Sequence, residues 1–238
     1  MKMFARGNLT TAVLLALTVG MSQPVFASEP IQEENGTKEV DLSDVSVSDT
    51  LSSVWAKDTG KIIATGSKNQ NINLTDTFDK EVRNVYASNG GSIQLGDADT
   101  KSVTISSTGK NAYGIMSLKK GSNVTINGDT LTINAHGTDY AIGMQAQSNS
   151  ETPATIDINT KNTIINASTD VDASTLKDGA ENPAIGLISY SGSRVTIHNN
   201  LTVNAPTAIS TRGGSTVTIN PEGTGTVKLN GDISFNYD

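Results

Sequence analysis

Apolar and polar residues alternate in runs of three to five along most of this chain, and Gly, Asn, Asp or Ser separates the runs. The clearest are Val103-Thr104-Ile105, Val124-Thr125-Ile126, Leu131-Thr132-Ile133, Val195-Thr196-Ile197, Leu201-Thr202-Val203 and Val217-Thr218-Ile219. Alternation of that length predicts short β-strands with one face in a core. Ile62-Ile63-Ala64, Ile72-Asn73-Leu74, Val85-Tyr86-Ala87 and Ile93-Gln94-Leu95 read as degenerate strands of the same kind. Beyond residue 27 no stretch carries a sustained helical period.

The runs recur as one phrase. It begins Tyr113-Gly114-Ile115, continues through Gly121-Ser122 and Val124-Thr125-Ile126, and closes on Leu131-Thr132-Ile133-Asn134-Ala135. It returns from Ala184-Ile185-Gly186 to Leu201-Thr202-Val203-Asn204-Ala205, and again from Ala208-Ile209 to Val227-Lys228-Leu229-Asn230. A phrase repeated at this spacing signals stacked supersecondary units. Ile185 and Ile209 are 24 positions apart, and Ile115 and Ile142 are 27 apart. Ile142 and Ile185 are 43 apart because an insertion, Asp170 to Glu181, lies between them.

The fold class expected is therefore all-β: a single-stranded parallel β-helix (solenoid) with about two dozen residues and three short strands per coil, covering residues 56–238. Equivalent residues of successive coils would stack about 4.8 Å apart. Three inward columns follow: Ile115, Ile142, Ile185 and Ile209; Val124, Ile156, Val195 and Val217; Leu131, Ile164, Leu201 and Val227. Asn134, Asn166 and Asn204 share one phase, either as turn formers or as a stack of side-chain amides.

Composition suits a narrow core with wet outer faces. Hydrophobic residues make up 35% of the chain and aromatics only 4%. There is no cysteine, which excludes disulfides and thiolate metal sites. Met1 to Ala27 reads as a secretory signal: Lys2 and Arg6, a short apolar run from Ala12 to Val19, and Val25-Phe26-Ala27 before a cut after Ala27. That run is too short for a membrane span, which takes roughly 20 residues. Without the signal, 15 basic residues face 24 acidic ones, a net of −9, and the mature chain carries no transmembrane segment. This balance excludes nucleic acid and anionic membrane surfaces as partners, since both select basic patches. Residues 28–55 are acidic and weakly patterned, and read as a flexible leader or N-terminal cap. Trp55 is expected either as a lid on the apolar end or as an ordinary core side chain.

The signal followed by Asn/Gly/Thr-rich copies of Ala-Ile-Gly … Gly-Ser-x-Val-Thr-Ile … Leu-Thr-Ile-Asn-Ala resembles autotransporter passenger domains of the pectin-lyase-like right-handed β-helix type, over about Val82 to Asp238. The resemblance implies a right-handed solenoid and a bacterial protein, secreted or at the outer-membrane cell surface via the periplasm. It also implies a stalk or adhesin that meets a host or bacterial cell-surface glycan or protein. The C-terminal barrel of that family is not in this sequence, which suggests a fragment with an open apolar end after Leu229 and Ile233, available for self-association.

The alternative is a polysaccharide lyase or hydrolase acting on acidic glycans, which would need a carboxylate cluster beside a base or a Ca²⁺ ion. Asp170, Asp172 and Asp178 with Lys177 form one set, and Asp97 and Asp99 with Lys101 another. All lie in turn-like sequence, where Asp is ordinarily a solvated turn former. His136 and His198 fall at different phases of the phrase, so shared coordination is not expected. No catalytic, cofactor-binding or metal residue is assigned, and the chain is read as a non-enzyme.

Overall fold

The computed structural model describes residues 26–27, 29–40, 42, 44–48, 50–64, 70–176 and 182–236. Most of the expected signal, and Lys177, Asp178 and Glu181 of the insertion, lie outside the described residues. The described elements are β1 (Phe26–Ala27), β2 (Ile31–Val40), β3 (Asp44–Ser48), β4 (Val54–Ala64), β5 (Asn71–Ser88), β6 (Ser92–Leu95), β7 (Ser102–Leu118), β8 (Asn123–Gln147), β9 (Thr155–Thr169), a single 3-10 turn (Ala173–Thr175), β10 (Ala184–Tyr190), β11 (Arg194–Ile197), β12 (Asn200–Arg212), β13 (Thr216–Ile219) and β14 (Val227–Asn236).

Neighbouring strands pair in parallel, but the expected open right-handed β-helix is overturned. β4 pairs β5, β5 pairs β7, β7 pairs β8, β8 pairs β6 and β6 pairs β4. The pairings thus close into a five-stranded parallel β-barrel core, and the remaining strands attach outside it. The reason lies in strand length. β8 is 25 residues long and β5 is 18, so a strand bends past the Asn and Gly positions that read as turns and meets different partners along its length. Asn127-Gly128 and Asn134-Ala135 sit inside β8. The expected repeat of two dozen residues is corrected with it: hydrogen-bonded partners lie 28 to 32 residues apart between Gly96 and Asn166, 38 across the insertion and 26 at the C-terminal end.

Register tests the columns one by one. Val124, Ile156, Val195 and Val217 align as expected. The first column does not survive. Ile115 aligns with Met144, Leu187 and Ile209, and these face the main core. Ile142 and Ile185 align instead with Tyr113 and Thr207, and sit in a separate apolar cluster with Ile188. The glycines explain the slip. A Cβ on Gly114 would stand 2.4 Å from Ile133 Cγ2, and one on Gly143 would stand 2.2 Å from Ile165 Cγ2. Backbone and core touch there, so glycine fixes the register and the isoleucine on either side of it is free to face in or out. In the third column the structure places Thr163, not Ile164, between Leu131 and Leu201. Thr163 is buried and its hydroxyl meets Thr160 Oγ1 at 2.9 Å, which satisfies a polar atom inside the wall.

The corners are held by serine. Ser193 Oγ donates to Ala146 O at 2.8 Å and Ser215 Oγ to Ser189 O at 2.6 Å, each reaching the preceding pass of chain. This is the physical content of the recurring Gly-Ser. Ile31, Leu42 and Val47 from the acidic N-terminal region enter the main core.

Candidate functional site

The two acidic sets named from sequence are held as turns. Asp97 Oδ1 accepts from the Asp99 amide and the Thr100 hydroxyl. Asp172 Oδ1 accepts from the Ser174 amide at 2.9 Å, and that side chain and backbone hold its carboxyl below the usual range. Lys101 turns away to Asp129, at 3.3 Å. The histidines have separate partners: His136 meets Ser168 and Asp170, and His198 meets Asp157 at 2.9 Å. Among the described residues no group of three or more His, Asp or Glu gathers to hold a metal. Nor does any helix there have the length and apolarity to cross a membrane.

A polar corner that sequence reasoning passed over lies beside them. Asp157 accepts from Asn159 Nδ2 as well as meeting His198. Asn159 Nδ2 also reaches Asn127 Oδ1, at 3.2 Å. Asp129 lies between Lys161 at 2.6 Å and Lys101 at 3.3 Å, and these two ammonium groups hold its carboxyl below the usual range. Asn127, Asp129, Asn159 and Lys161, with Ala98 and Gly128, line a shallow groove. Every charge in it already has an opposite partner, so it reads as a satisfied surface network.

The other feature is aromatic. Trp55, Tyr86, Tyr113, Tyr140 and Tyr190 stand on β4, β5, β7, β8 and β10, which pair side by side in that order and make one flank. Trp55 is therefore neither a lid nor a core side chain. It is half-buried and stacks on Tyr86, with ring centroids 6.5 Å apart and planes 6° from parallel. Tyr113 and Tyr140 pack at 6.2 Å, and Tyr190 joins them against the same apolar cluster. Cations sit over the rings: Arg83 5.0 Å from Tyr86, Arg212 5.3 Å from Tyr190 and Lys57 6.0 Å from Trp55. Ile142, Ile185 and Ile188 fill the gaps. Burial raises all three hydroxyls of Tyr113, Tyr140 and Tyr190, Tyr113 to about 12 with the Glu81 charge adding to it. The available signal was phase, since four of these aromatics lie within three residues of the first strand's Gly or Ala. Scarcity of aromatics hid that coincidence.

At the C-terminal end a groove of about 420 Å³ is lined by Ile209, Val217, Leu229, Ile233 and Phe235. Ile233 is 49% exposed and Phe235 62%. The chain matches no family model, no curated protein and no solved structure.

Proposed function

We propose that this chain is an exported bacterial protein, secreted or held at the cell surface, with a structural or adhesive role toward a host or neighbouring-cell glycan or protein. The observation that carries the reading is the gathering of Trp55, Tyr86, Tyr113, Tyr140 and Tyr190 on one outer flank of a chain that is only 4% aromatic. Aromatic rings with a polar tip supply contact area at small entropic loss and dominate recognition surfaces. Two of the cations above them are themselves paired, Arg83 with Glu81 and Lys57 with Asp58, so the face is not broadly basic. Of the resemblance to autotransporter passengers, the signal and the periodic Asn/Gly/Thr phrase support export; the fold it implied is no part of the reading.

The test is binding of the purified mature chain to a glycan array and to intact cells, alongside Trp55→Ala/Tyr190→Ala. At least a tenfold loss in the double variant is expected. Equal binding by both proteins overturns the assignment of the flank. A second copy of the chain is the other partner in this reading, supported by the exposed apolar end at Ile233 and Phe235.

A further inference from the structure

Asp76 is the one charged residue among the described residues that is fully buried. It lies on the inner face of β5, in register with Val47 of β3 and Ser107 of β7. Ser107 in turn aligns with Ala135 and Ala167, so a single carboxyl interrupts a column of small and apolar side chains. Neither carboxyl oxygen has a hydrogen-bond partner. Nearby, Asn84 ties its amide nitrogen to Leu74 O at 3.2 Å and Ser106 O at 2.8 Å, bracketing the backbone that leads into Asp76 and Ser107. The Asn84 side-chain oxygen and Ser53 Oγ are buried without partners as well.

Among the described residues the surrounding strands offer no counter-charge. On β4, Lys57, Asp58 and Lys61 are partly or fully exposed, and so are Asp79, Lys80, Glu81 and Arg83 on β5. Tyr86 faces the outer flank against Trp55. On β7, Lys110 meets Asp139 and Tyr113 packs on Tyr140. On β8, Asp129 is held by lysines and His136 by Asp170. β6 (Ser92–Leu95) has no ionisable side chain.

We propose that Asp76 is a proton-operated lock: the barrel closes around its neutral carboxyl, and the packing of β3, β5 and β7 is tightest when that proton is in place. An ionised carboxylate without a partner is strongly disfavoured inside a protein, and its oxygens find no donor here. Burial lifts Asp76 from its ordinary 3.8 to about 7. The folded chain therefore holds a proton that the unfolded chain has already lost, in the window from about pH 4 to 7. Below that window both states carry the proton; above it neither does. Stability must fall as pH rises through the window and then level off. Through this one group acid strengthens the fold, opposite in sign to the lowered carboxyls of Asp129 and Asp172.

The experiment is denaturant unfolding of the mature chain between pH 4 and 8.5, with Asp76→Asn and Asp76→Ser as neutral variants; serine already occupies the same column at Ser107. In the parent, the unfolding constant is expected to rise by up to about tenfold per pH unit across the window, relative to the variants. Parallel pH profiles in parent and variants overturn the lock. So does stabilisation of the parent, and not of Asp76→Asn, by added Ca²⁺ or Na⁺ at pH 7, which would mean an ionised carboxylate holding a cation. Asp76→Ser keeps the test decisive should the Asn variant fail to fold. A failure here leaves the aromatic flank untouched, since none of its side chains is altered.

Discussion

Asn166 donates its side-chain amide to Asn134 Oδ1 at 2.8 Å, and the same geometry repeats one layer on, where Asn204 donates to Asn166 Oδ1 at 2.8 Å. Asn134 begins the series on Ser106 Oγ, and Asn230 continues it onto Asn204. The ladder runs alongside the backbone hydrogen bonds, and its spacing is that of parallel strands. Asn166→Ala removes two bonds and leaves two amide groups without their mates. A loss of about 1–3 kcal/mol is expected, at 0.5–1.5 kcal/mol per bond. Asn230→Ala removes one exposed bond and should lose under about 1 kcal/mol. Denaturant melts of the two variants check the ranking.

The close approach at Gly143 predicts a strong asymmetry among glycines. Its missing Cβ would meet Ile165 Cγ2 at 2.2 Å and Gly186 O at 2.5 Å, whereas a Cβ on Gly192 would meet nothing within 4 Å. Gly143→Ala forces backbone and core apart, and a loss of about 1–3 kcal/mol or more is expected. Gly192→Ala carries only the penalty of its positive φ, about 1 kcal/mol. Equal losses would show that the column of glycines is not what sets the register.

The corrected columns predict which isoleucines matter. Ile165→Ala empties a fully buried site and should lose about 2–5 kcal/mol. Ile164→Thr, one position earlier and facing outward, should change stability by under about 0.5 kcal/mol. Thermal unfolding of the pair tests the register directly, because the expected column had the two positions reversed.

The tyrosine flank predicts an alkaline transition. Tyr113 titrates at about 12 when folded against 10.0 as a free phenol, because burial and Glu81 disfavour the phenolate. A raised folded value means stability that is intact below pH 10 and lost as pH rises toward 12. Absorbance at the phenolate band should show these tyrosines ionising late and together with unfolding. Glu81→Gln should lower the midpoint slightly. Ionisation near pH 10 with the fold intact would place the three rings in water.

The apolar end predicts concentration-dependent association. Ile233 and Phe235 are exposed on β14, which among the described residues pairs with β12 alone. Such an edge recruits further strands. Sedimentation of the mature chain should show larger species with increasing concentration, and Phe235→Asp should reduce them without shifting the melting midpoint.

Much of the molecule could be read from pattern. The strand positions, the Val124–Ile156–Val195–Val217 column and the common phase of Asn134, Asn166 and Asn204 follow from period-two alternation and repetition, because in-register stacking puts like residues on like. Failure came where two readings had the same apolar pattern. Ile164-Ile165 offers two isoleucines for one inward place, and the buried Thr163–Thr160 bond decides between them. Tyr113-Gly114-Ile115 and Ala184-Ile185-Gly186 align by isoleucine on paper but by glycine in space, since only the glycine tolerates contact with the core.

By itself the sequence determined an all-β chain of repeated parallel layers with asparagines in file, since alternation and repetition are local properties. Only the tertiary structure decided that the layers close into a five-stranded barrel, that the scattered tyrosines share one flank and that Asp76 faces inward. Each of those depends on which residues, from 28 to 38 positions apart, are brought opposite one another, and that distance is set by packing against the core rather than by any local preference.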